Sequence, residues 1–334
     1  MDCEPEELQF LGIIGIYRET SKLILSWRRL FAKIAASLMV PLSVLFLAQI
    51  LISHNLFTQI DRNEEALEHT AAGSPSQARL FRRLSSEWSS FLLFKSIYLL
   101  ALLVFSLLST SAVVYTIASV YTAKHDLLLS FRKVLTIVPK VWRRLALTFL
   151  VAFLFLVAYN ILAVIAFVLT IFIAGDSAVG VLLVISLAVA YIVGLIWISV
   201  VWHVASVVSV LEEACGGDAM RRSRELVRGK MGVAASVFVM MNMAFVGIEM
   251  AFRWVVAVGK ASLALKLGFT AAILVLLSAV ILFALVAQTV VYFVCKSYHH
   301  ESIDKSALAD HLEEYLGEYL PLKAKDLQME QLHV

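Results

Sequence analysis

Proline, cysteine and charged side chains are all scarce in this sequence of 334 residues. Of the five prolines, only Pro41 falls inside a long apolar run, so the sequence gives little sign of the proline-interrupted half-helices found in many transporters. The three cysteines are too few for a disulfide framework and have no metal-ligand spacing. No glycine-rich phosphate loop, serine elbow or zinc-binding helix motif is present. We therefore expect no catalytic residues, no metal site and no cofactor, and the net charge of +3 gives no reason to expect nucleic-acid binding.

Long apolar runs are what the sequence has in abundance. Hydrophobic residues make up 61% of the chain, against about 45–50% in soluble domains. A bilayer core of about 30 Å is crossed by about 20 apolar residues in a helix, and backbone polar groups inside it must bond within the helix. The sequence therefore predicts an all-α polytopic membrane protein, a six-transmembrane-helix bundle with amphipathic interfacial helices. Its spans are expected near residues 34–53, 96–120, 145–174, 179–210, 232–258 and 267–294.

Basic residues concentrate in alternate segments between these runs. Residues 18–33, 124–144 and 221–230 are rich in arginine and lysine, whereas the other connections carry fewer cations or more acids. Because positively charged loops tend to stay in the cytoplasm, we expect both termini to be cytoplasmic. The expected division is an interfacial segment, a membrane domain and a cytoplasmic tail over residues 1–33, 34–296 and 297–334.

Segments outside the spans also have helical amphipathic patterns. Over residues 7–32, apolar side chains recur at three- and four-residue spacing, which predicts a helix lying in the membrane interface. Residues 125–144 have a similar pattern, which Pro139 is expected to interrupt; an ordinary positively charged loop is the alternative. Both segments would attract anionic headgroups. In the tail, a short amphipathic helix ended by Pro321 is expected to dock on the membrane face or on a protein partner.

One block between the fourth and fifth runs has the pattern of a short separate helix. Gly216 and Gly217 interrupt the preceding helix, Asp218 is a suitable N-cap, and Gly229 is typical of a helix end. These residues predict an interfacial helix over residues 219–228. We expect it to be distinct from the fourth span.

The faces of this helix follow from its spacing. Glu225 lies four residues after Arg221, so the two side chains are expected to pair. Small and apolar side chains would face the membrane, and cations would lie at the headgroups. The residues are Met220, Ser223 and Val227 on one side and Arg221, Arg224 and Arg228 on the other.

The same block resembles a known pattern. The sequence VLEEACGGDAMRRSRELVRGK is similar to the pattern of an acid, a turn of small residues and an arginine-rich helix in the glycerophosphoryl diester phosphodiesterase membrane-domain superfamily. The opening EPEELQFLGIIGIYRET is similar to a plant family of uncharacterised multipass proteins in that group. The resemblance covers about residues 8–300, is sharpest over the quoted block, and implies a helical membrane domain without the catalytic barrel and its phosphodiesterase activity. The matching residues are Glu212, Gly217, Ala219, Arg221, Arg222, Ser223, Leu226, Val227, Arg228 and Gly229.

Several polar residues fall inside the predicted spans, where ionisable groups often mark functional sites. Glu249 and Arg253 lie four residues apart and are expected to pair inside the bundle, either as a structural pair or along a transport path. Three amides are expected to bond between helices, and a histidine is expected to anchor the fourth span at the interface rather than to relay protons. These four residues are Asn160, Asn242, Gln288 and His203.

The leading interpretation of the whole sequence is a non-enzymatic integral membrane protein with a membrane-organising or adaptor role in the endomembrane system. It would reside in the endoplasmic reticulum or plasma membrane. Its expected partners are membrane lipids, through anionic headgroups at the basic segments, and a protein at the C-terminal tail. The alternative is a transporter or channel for a small solute, ion or lipid that uses the intramembrane polar residues. S-palmitoylation of Cys3 or Cys295, which lie near predicted membrane boundaries, is a further hypothesis.

Overall fold

A computed structural model describes residues 7–68, 75–121, 131–174, 177–257 and 263–299, and these residues are helical with no strand among them. A short 3₁₀ turn, Glu7–Phe10, precedes the first α-helix, and a π turn, Ala35–Met39, joins α2 to α3 without a break. The α-helices are α1 Ile13–Ser26, α2 Arg28–Ile34, α3 Val40–Glu68, α4 Pro75–Tyr121, α5 Phe131–Ala174, α6 Ala178–Leu211, α7 Gly217–Val227, α8 Met231–Ala257 and α9 Leu263–Tyr298.

Within these described residues, six helical stretches are long and apolar enough to cross a membrane. Many of their large apolar side chains are exposed on the surface of the bundle, as expected for helices that are in contact with lipid. This confirms the predicted fold class, an all-α polytopic membrane protein. The stretches are Arg28–Asn63, Arg79–Tyr121, Trp142–Ile173, Ala178–Leu211, Met231–Trp254 and Ala264–Tyr298.

The helices continue well beyond the apolar runs. The first connection, residues 54–91, is mostly helical, because α3 continues to Glu68 and α4 already begins at Pro75. With 47 residues, α4 is about 70 Å long, more than twice the thickness of a bilayer core of about 30 Å. The Asn63 amide donates to both carboxylate oxygens of Glu87 at 2.8 Å and ties the two helices together. Charge therefore marks where the apolar surface ends, not where the helix ends.

The helix α5 passes through Pro139 without interruption, so the predicted break there is wrong. A proline removes one hydrogen bond, the one to the carbonyl four residues earlier. Helix propagation is cooperative, and residues on both sides of Pro139 continue the same helix. Loss of a single bond is not enough to end it.

The main hydrophobic core lies at one end of the bundle. The last turns of α9 form its centre, and α1, α2, α4, α6, α7 and α8 contribute buried side chains around them. The amphipathic α1 buries Ile16 and Leu23 in this core and leaves Ile14 and Leu25 exposed. The Tyr17 hydroxyl also donates to the Val237 carbonyl of α8 at 3.2 Å. We call this end, which carries α1, α2 and α7, the basic end.

Candidate functional site

The short helix α7 forms an elbow between α6 and α8, as the sequence predicts. Its ends are set by two glycines in the left-handed region, with φ of +61° at Gly216 and +97° at Gly229. A Cβ added to Gly229 would lie 2.6 Å from the ring of Tyr298, so this position is closed to side chains by both conformation and space. The elbow therefore requires glycine at residue 229 in particular.

The helix begins two residues earlier than expected, so the prediction that Asp218 is its N-cap is wrong. Gly216 occupies the N-cap position, and no side chain caps the helix there. The amide N–H of Gly216 instead donates to the Thr148 hydroxyl of α5 at 2.8 Å. Gly217 and Asp218 both lie in the first turn, where the Asp218 carboxylate still favours the positive end of the helix dipole.

Glu212 joins the elbow to the last span. Its Oε1 accepts hydrogen bonds from the Tyr292 hydroxyl at 2.7 Å and from Lys296 Nζ at 3.2 Å. Its Oε2 accepts from Arg222 Nε of α7 at 3.3 Å. Burial by itself raises the pKa of the Glu212 carboxyl, but the hydrogen bond from Tyr292 and the charges of Lys296 and Arg222 outweigh burial and lower the pKa below its usual value. Glu212 is thus a charged, partly buried acceptor that holds α6, α7 and α9 together.

The inner face of α7 is polar as well as apolar. Ser223 is fully buried and donates to the Val201 carbonyl of α6 at 2.7 Å. Val227 is buried too, so the prediction that these two residues face the membrane is wrong. The reason is that α7 packs back onto its own bundle, where a carbonyl satisfies the Ser223 hydroxyl. His299 Nε2 lies 3.0 Å from the Leu226 carbonyl and fixes the end of the same helix.

The outer face of α7 carries its cations. Arg221 pairs with Glu225 at 3.6 Å, as the four-residue spacing predicts, and both side chains are exposed. Exposed acids at the basic end are fewer than exposed cations among the described residues; they are Glu213, Asp218 and Glu225. The exposed cations of this end are Arg18, Lys22, Arg28, Arg29, Lys33, Arg143, Arg221, Arg224 and Arg228.

A cavity of about 480 Å³ lies inside the bundle on the membrane side of this elbow. Helices α3, α4, α5, α6 and α9 line it, and leucine is the most frequent lining residue. His203 and Gln288 also line it, and His203 Nδ1 lies 3.1 Å from Gln288 Oε1. The His203 ring stacks on Phe238 at 4.8 Å between centroids. The expected interfacial anchor at His203 is wrong, because the side chain turns into the bundle, where an amide partner is available. For Gln288 the expected bond between helices forms.

The remaining intramembrane amides behave differently from each other. Asn160 accepts from the Tyr191 hydroxyl at 2.8 Å and links α5 to α6, as expected. Asn242 is exposed and donates to the Phe238 carbonyl of its own helix at 2.9 Å, so the expected bond to another helix is wrong. The side of α8 on which Asn242 lies has no helix against it among the described residues, and the backbone carbonyl one turn back is the nearest acceptor.

Glu249 and Arg253 form the expected pair, with Arg253 Nη2 at 2.6 Å from Glu249 Oε1. The expectation that both point into the bundle is wrong for Arg253, whose side chain is 56% exposed. Arg253 lies 22 residues after Met231, about 33 Å along α8. This length carries the pair to the end of the bundle opposite the basic end, and neither residue lines the cavity.

The two S-palmitoylation hypotheses, for Cys295 and for Cys3, have different outcomes. Cys295 is 1% exposed within the core around α9, so S-palmitoylation of Cys295 is not compatible with the folded bundle. Its position near the end of the last apolar run suggested a membrane boundary, but α1 and α7 cover that turn of α9. Cys3 lies outside the described residues.

The matching family is described as "Domain of unknown function (DUF8558)", and it covers residues 1–332. The chain belongs to this family. The match spans all the helices described above rather than one segment of them, so the family is defined over the whole bundle. The searches of curated proteins and of solved structures found no match.

Sequence reasoning missed the partners of the DUF8558 elbow. Tyr292 and Lys296 lie near the end of the last span, and Thr148 lies in the third. The spacing of Tyr292 and Lys296 by four residues puts both side chains on one helix face. A cation and a hydroxyl that share a face at the end of an apolar run can both bind one carboxylate. This spacing was the sequence signal that could have predicted an acidic partner for α9.

Proposed function

We propose that this chain is a non-enzymatic, membrane-organising protein that gathers anionic lipids around its basic end. The observation that carries the proposal is the excess of exposed cations over exposed acids on α1, α2 and α7. Each cation near an anionic leaflet contributes about 1 kcal/mol to the attraction. Because Glu212, Ser223 and His299 fix α7 against the bundle, its backbone needs no further ordering when its cations bind lipid headgroups.

The proposed orientation places the basic end and both termini in the cytoplasm, in the endoplasmic reticulum or the plasma membrane. It rests on the positive charge of residues 18–33 and 221–230. The cytoplasmic leaflet is the anionic one, so orientation and lipid preference support each other. The resemblance to the glycerophosphoryl diester phosphodiesterase membrane-domain superfamily supports the proposal that the protein is not an enzyme, since it covers the membrane domain and not the catalytic barrel. Residues 300–334 of the C-terminal tail, the proposed site of an adaptor function, lie outside the described residues.

Lipid selectivity of the reconstituted protein tests the proposal. The protein is placed in phosphatidylcholine vesicles with a minor fraction of phosphatidylserine, and the motionally restricted fraction of spin-labelled phosphatidylserine is compared with that of spin-labelled phosphatidylcholine. We expect a preference for phosphatidylserine that weakens with added salt. The triple change Arg221→Gln, Arg224→Gln, Arg228→Gln should lower it.

A matched control is available at the other end of the bundle. Arg79, Arg82 and Arg83 are also three exposed arginines near the membrane part of a helix, α4. Their change to glutamine removes the same charge and should leave the preference unchanged. An equal loss in both triple variants, or no loss in either, would overturn the proposal.

A transporter or channel is the second candidate, and the intramembrane cavity with His203 and Gln288 is the observation that favours it. The walls of this cavity do not include Asn160, Asn242 or Glu249. The cavity therefore does not support a transport path that passes all the intramembrane polar residues. Solute or ion flux into proteoliposomes that Gln288→Leu abolishes would favour this second function over the first.

A further inference from the structure

The cavity beneath the elbow has the features of a binding site for an uncharged lipid. It opens sideways, because three of its lining residues on α4 and α5, Leu99, Leu150 and Phe153, are 53%, 55% and 44% exposed on the bundle surface. That surface is the one that faces lipid in a membrane-spanning bundle. Binding sites for small molecules are typically concave, mostly apolar and between about 300 and 1,000 Å³. Size, lining and access thus all fit a molecule that enters from the bilayer.

Two polar groups that line this cavity lack hydrogen-bond partners within the described part of the chain. They are the Ser109 hydroxyl and the Gln288 side-chain amide nitrogen, in residues that are 0% and 2% exposed. With His203 protonated on Nδ1, Gln288 Oε1 accepts a hydrogen bond from that N–H, and both N–H bonds of the amide are left to donate. A buried donor without an acceptor is costly and rare in native proteins. The Gln288 amide nitrogen can only donate, and the Ser109 hydroxyl can donate to the same partner, so a ligand that satisfies both groups supplies an acceptor oxygen.

The charge and depth of the cavity narrow the ligand further. None of its lining residues is Asp, Glu, Lys or Arg, so an ionised group would be buried there without a counter-charge. His203 lies eight residues before the end of α6, about 12 Å, and Gln288 ten residues before the end of α9, about 15 Å. The polar group of the ligand must therefore lie deeper in the membrane than the elbow. A charged phosphate headgroup would be costly to bury at that depth, whereas a small uncharged headgroup would not.

We propose that this cavity binds an uncharged membrane lipid through a hydroxyl or carbonyl oxygen that accepts hydrogen bonds from Ser109 and Gln288. A sterol carries such an oxygen as its hydroxyl, and a diacylglycerol carries it as ester carbonyls. The site is separate from the anionic-lipid surface of the proposed function, because no cation of the basic end lines it. The cavity proposal and the anionic-lipid proposal can therefore be tested independently.

Photolabelling of the full chain in vesicles tests this site. Three probes that carry a diazirine and an alkyne are compared: a sterol, a diacylglycerol and a phosphatidylcholine. We expect saturable labelling of α4, α5, α6 or α9 by the sterol or the diacylglycerol, which an excess of the unlabelled lipid competes away. The probe that is competed identifies which of the two lipids supplies the oxygen.

Two variants distinguish the contribution of the hydrogen-bond donors from that of the cavity volume. Ser109→Ala with Gln288→Leu removes both donors and should weaken labelling tenfold or more, since each lost hydrogen bond is worth about 1 kcal/mol and tenfold is 1.4 kcal/mol. Leu150→Trp keeps the donors but fills the exposed mouth and should abolish labelling. Asn242→Leu, at an exposed amide outside the cavity, is the matched control and should label like the unchanged protein.

The outcomes that overturn the proposal are distinct. Equal labelling by phosphatidylcholine shows ordinary lipid contact, and no saturable labelling by either uncharged probe shows that neither lipid binds. Unchanged labelling in both the donor variant and Leu150→Trp places the label elsewhere. None of these results changes the phosphatidylserine preference measured by spin labels, so failure here is distinguishable from failure of the proposed function.

Discussion

At the scale of single residues, Glu212 shows how one carboxylate can order three helices. Its two oxygens accept from α7 and α9 while its backbone ends α6. The side chain is 19% exposed, so the lost hydration is moderate and charged hydrogen bonds replace it. Such bonds contribute about 1.5–3 kcal/mol each. The acid matters most for its partners, because its loss removes the carboxylate that both Lys296 and Arg222 contact near the core.

We expect Glu212→Gln to lower the free energy of unfolding by about 2 kcal/mol at neutral pH. The folded-state pKa of Glu212 is lower than its unfolded value. Its stabilising contribution is therefore complete above the usual glutamate pKa and is lost as the pH falls through the lower, folded-state value. Thermal melting of the purified protein in detergent, repeated from neutral to acid pH, measures both effects.

The exposed neighbour Glu213 supplies the control for this change. Among the described residues it contributes its backbone carbonyl, which accepts from the Arg144 guanidinium, and its side chain is exposed. Glu213→Gln should melt like the unchanged protein at every pH. The idea fails if the difference between Glu212→Gln and the unchanged protein stays constant down to strongly acid pH.

At the scale of elements, the elbow depends on the two ends of α7 more than on its faces. The turn at Gly229 brings the chain from α7 into α8 within a few residues, directly against the ring of Tyr298. Lys230 then lies over the same ring, with Nζ at 5.3 Å from its centroid. A single backbone conformation thus decides how α8 enters the bundle.

Gly229→Ala should lower the melting temperature, because a non-glycine residue held at φ of +97° costs about 1–3 kcal/mol. Gly232→Ala is the matched change three residues later. Gly232 lies in α8 with open space around its Cβ position, and alanine there should be neutral or stabilising by about 0.5–1 kcal/mol. Equal destabilisation of the two variants in the same melting assay would contradict the role given to the turn.

Sequence patterns predicted the elements far better than their contacts. The apolar runs gave the spans, and Gly216, Gly217 and Gly229 gave a separate α7, because backbone conformation is a local property of these residues. The inward direction of Ser223 was not predictable in the same way. It depends on a carbonyl of α6, and only the packing of one helix on another brings the two together.

Long-range partners explain the other differences. Glu212 was recognisable as part of a motif, but Tyr292 and Lys296 lie 80 and 84 residues away in sequence. Asn160 and Asn242 have the same side chain in similar apolar runs, yet only Asn160 has a facing tyrosine. The cavity depends on five helices at once, so no spacing within one run indicates it.

At the scale of the whole molecule, the elbow offers a chemical test of orientation. Cys215 is partly exposed at the basic end, and Cys295 is buried in α9. In sealed microsomes with the cytosolic face outward, a membrane-impermeant maleimide should modify Cys215 without any detergent. The test uses a Cys3→Ser background, so that only these two thiols are present.

Two controls complete this experiment. Cys3→Ser with Cys215→Ser should stay unmodified until the protein is denatured, when Cys295 becomes accessible. Modification of Cys215 only after detergent opens the vesicles would place the basic end in the lumen and reverse the proposed orientation.

The packing of α1 on α9 has a consequence for how the nascent chain matures. Tyr17 stacks on Phe283, with ring centroids 5.6 Å apart, across 266 positions of sequence. At about 5–20 residues per second, a ribosome needs on the order of 13–53 s to cover that interval. Until α8 and α9 have been made, the first helix lacks the surfaces on which it packs, and its amphipathic shape allows it to lie on the membrane surface. A chain that stalls or is truncated before α9 therefore lacks its last span and also the surface against which its first helix packs.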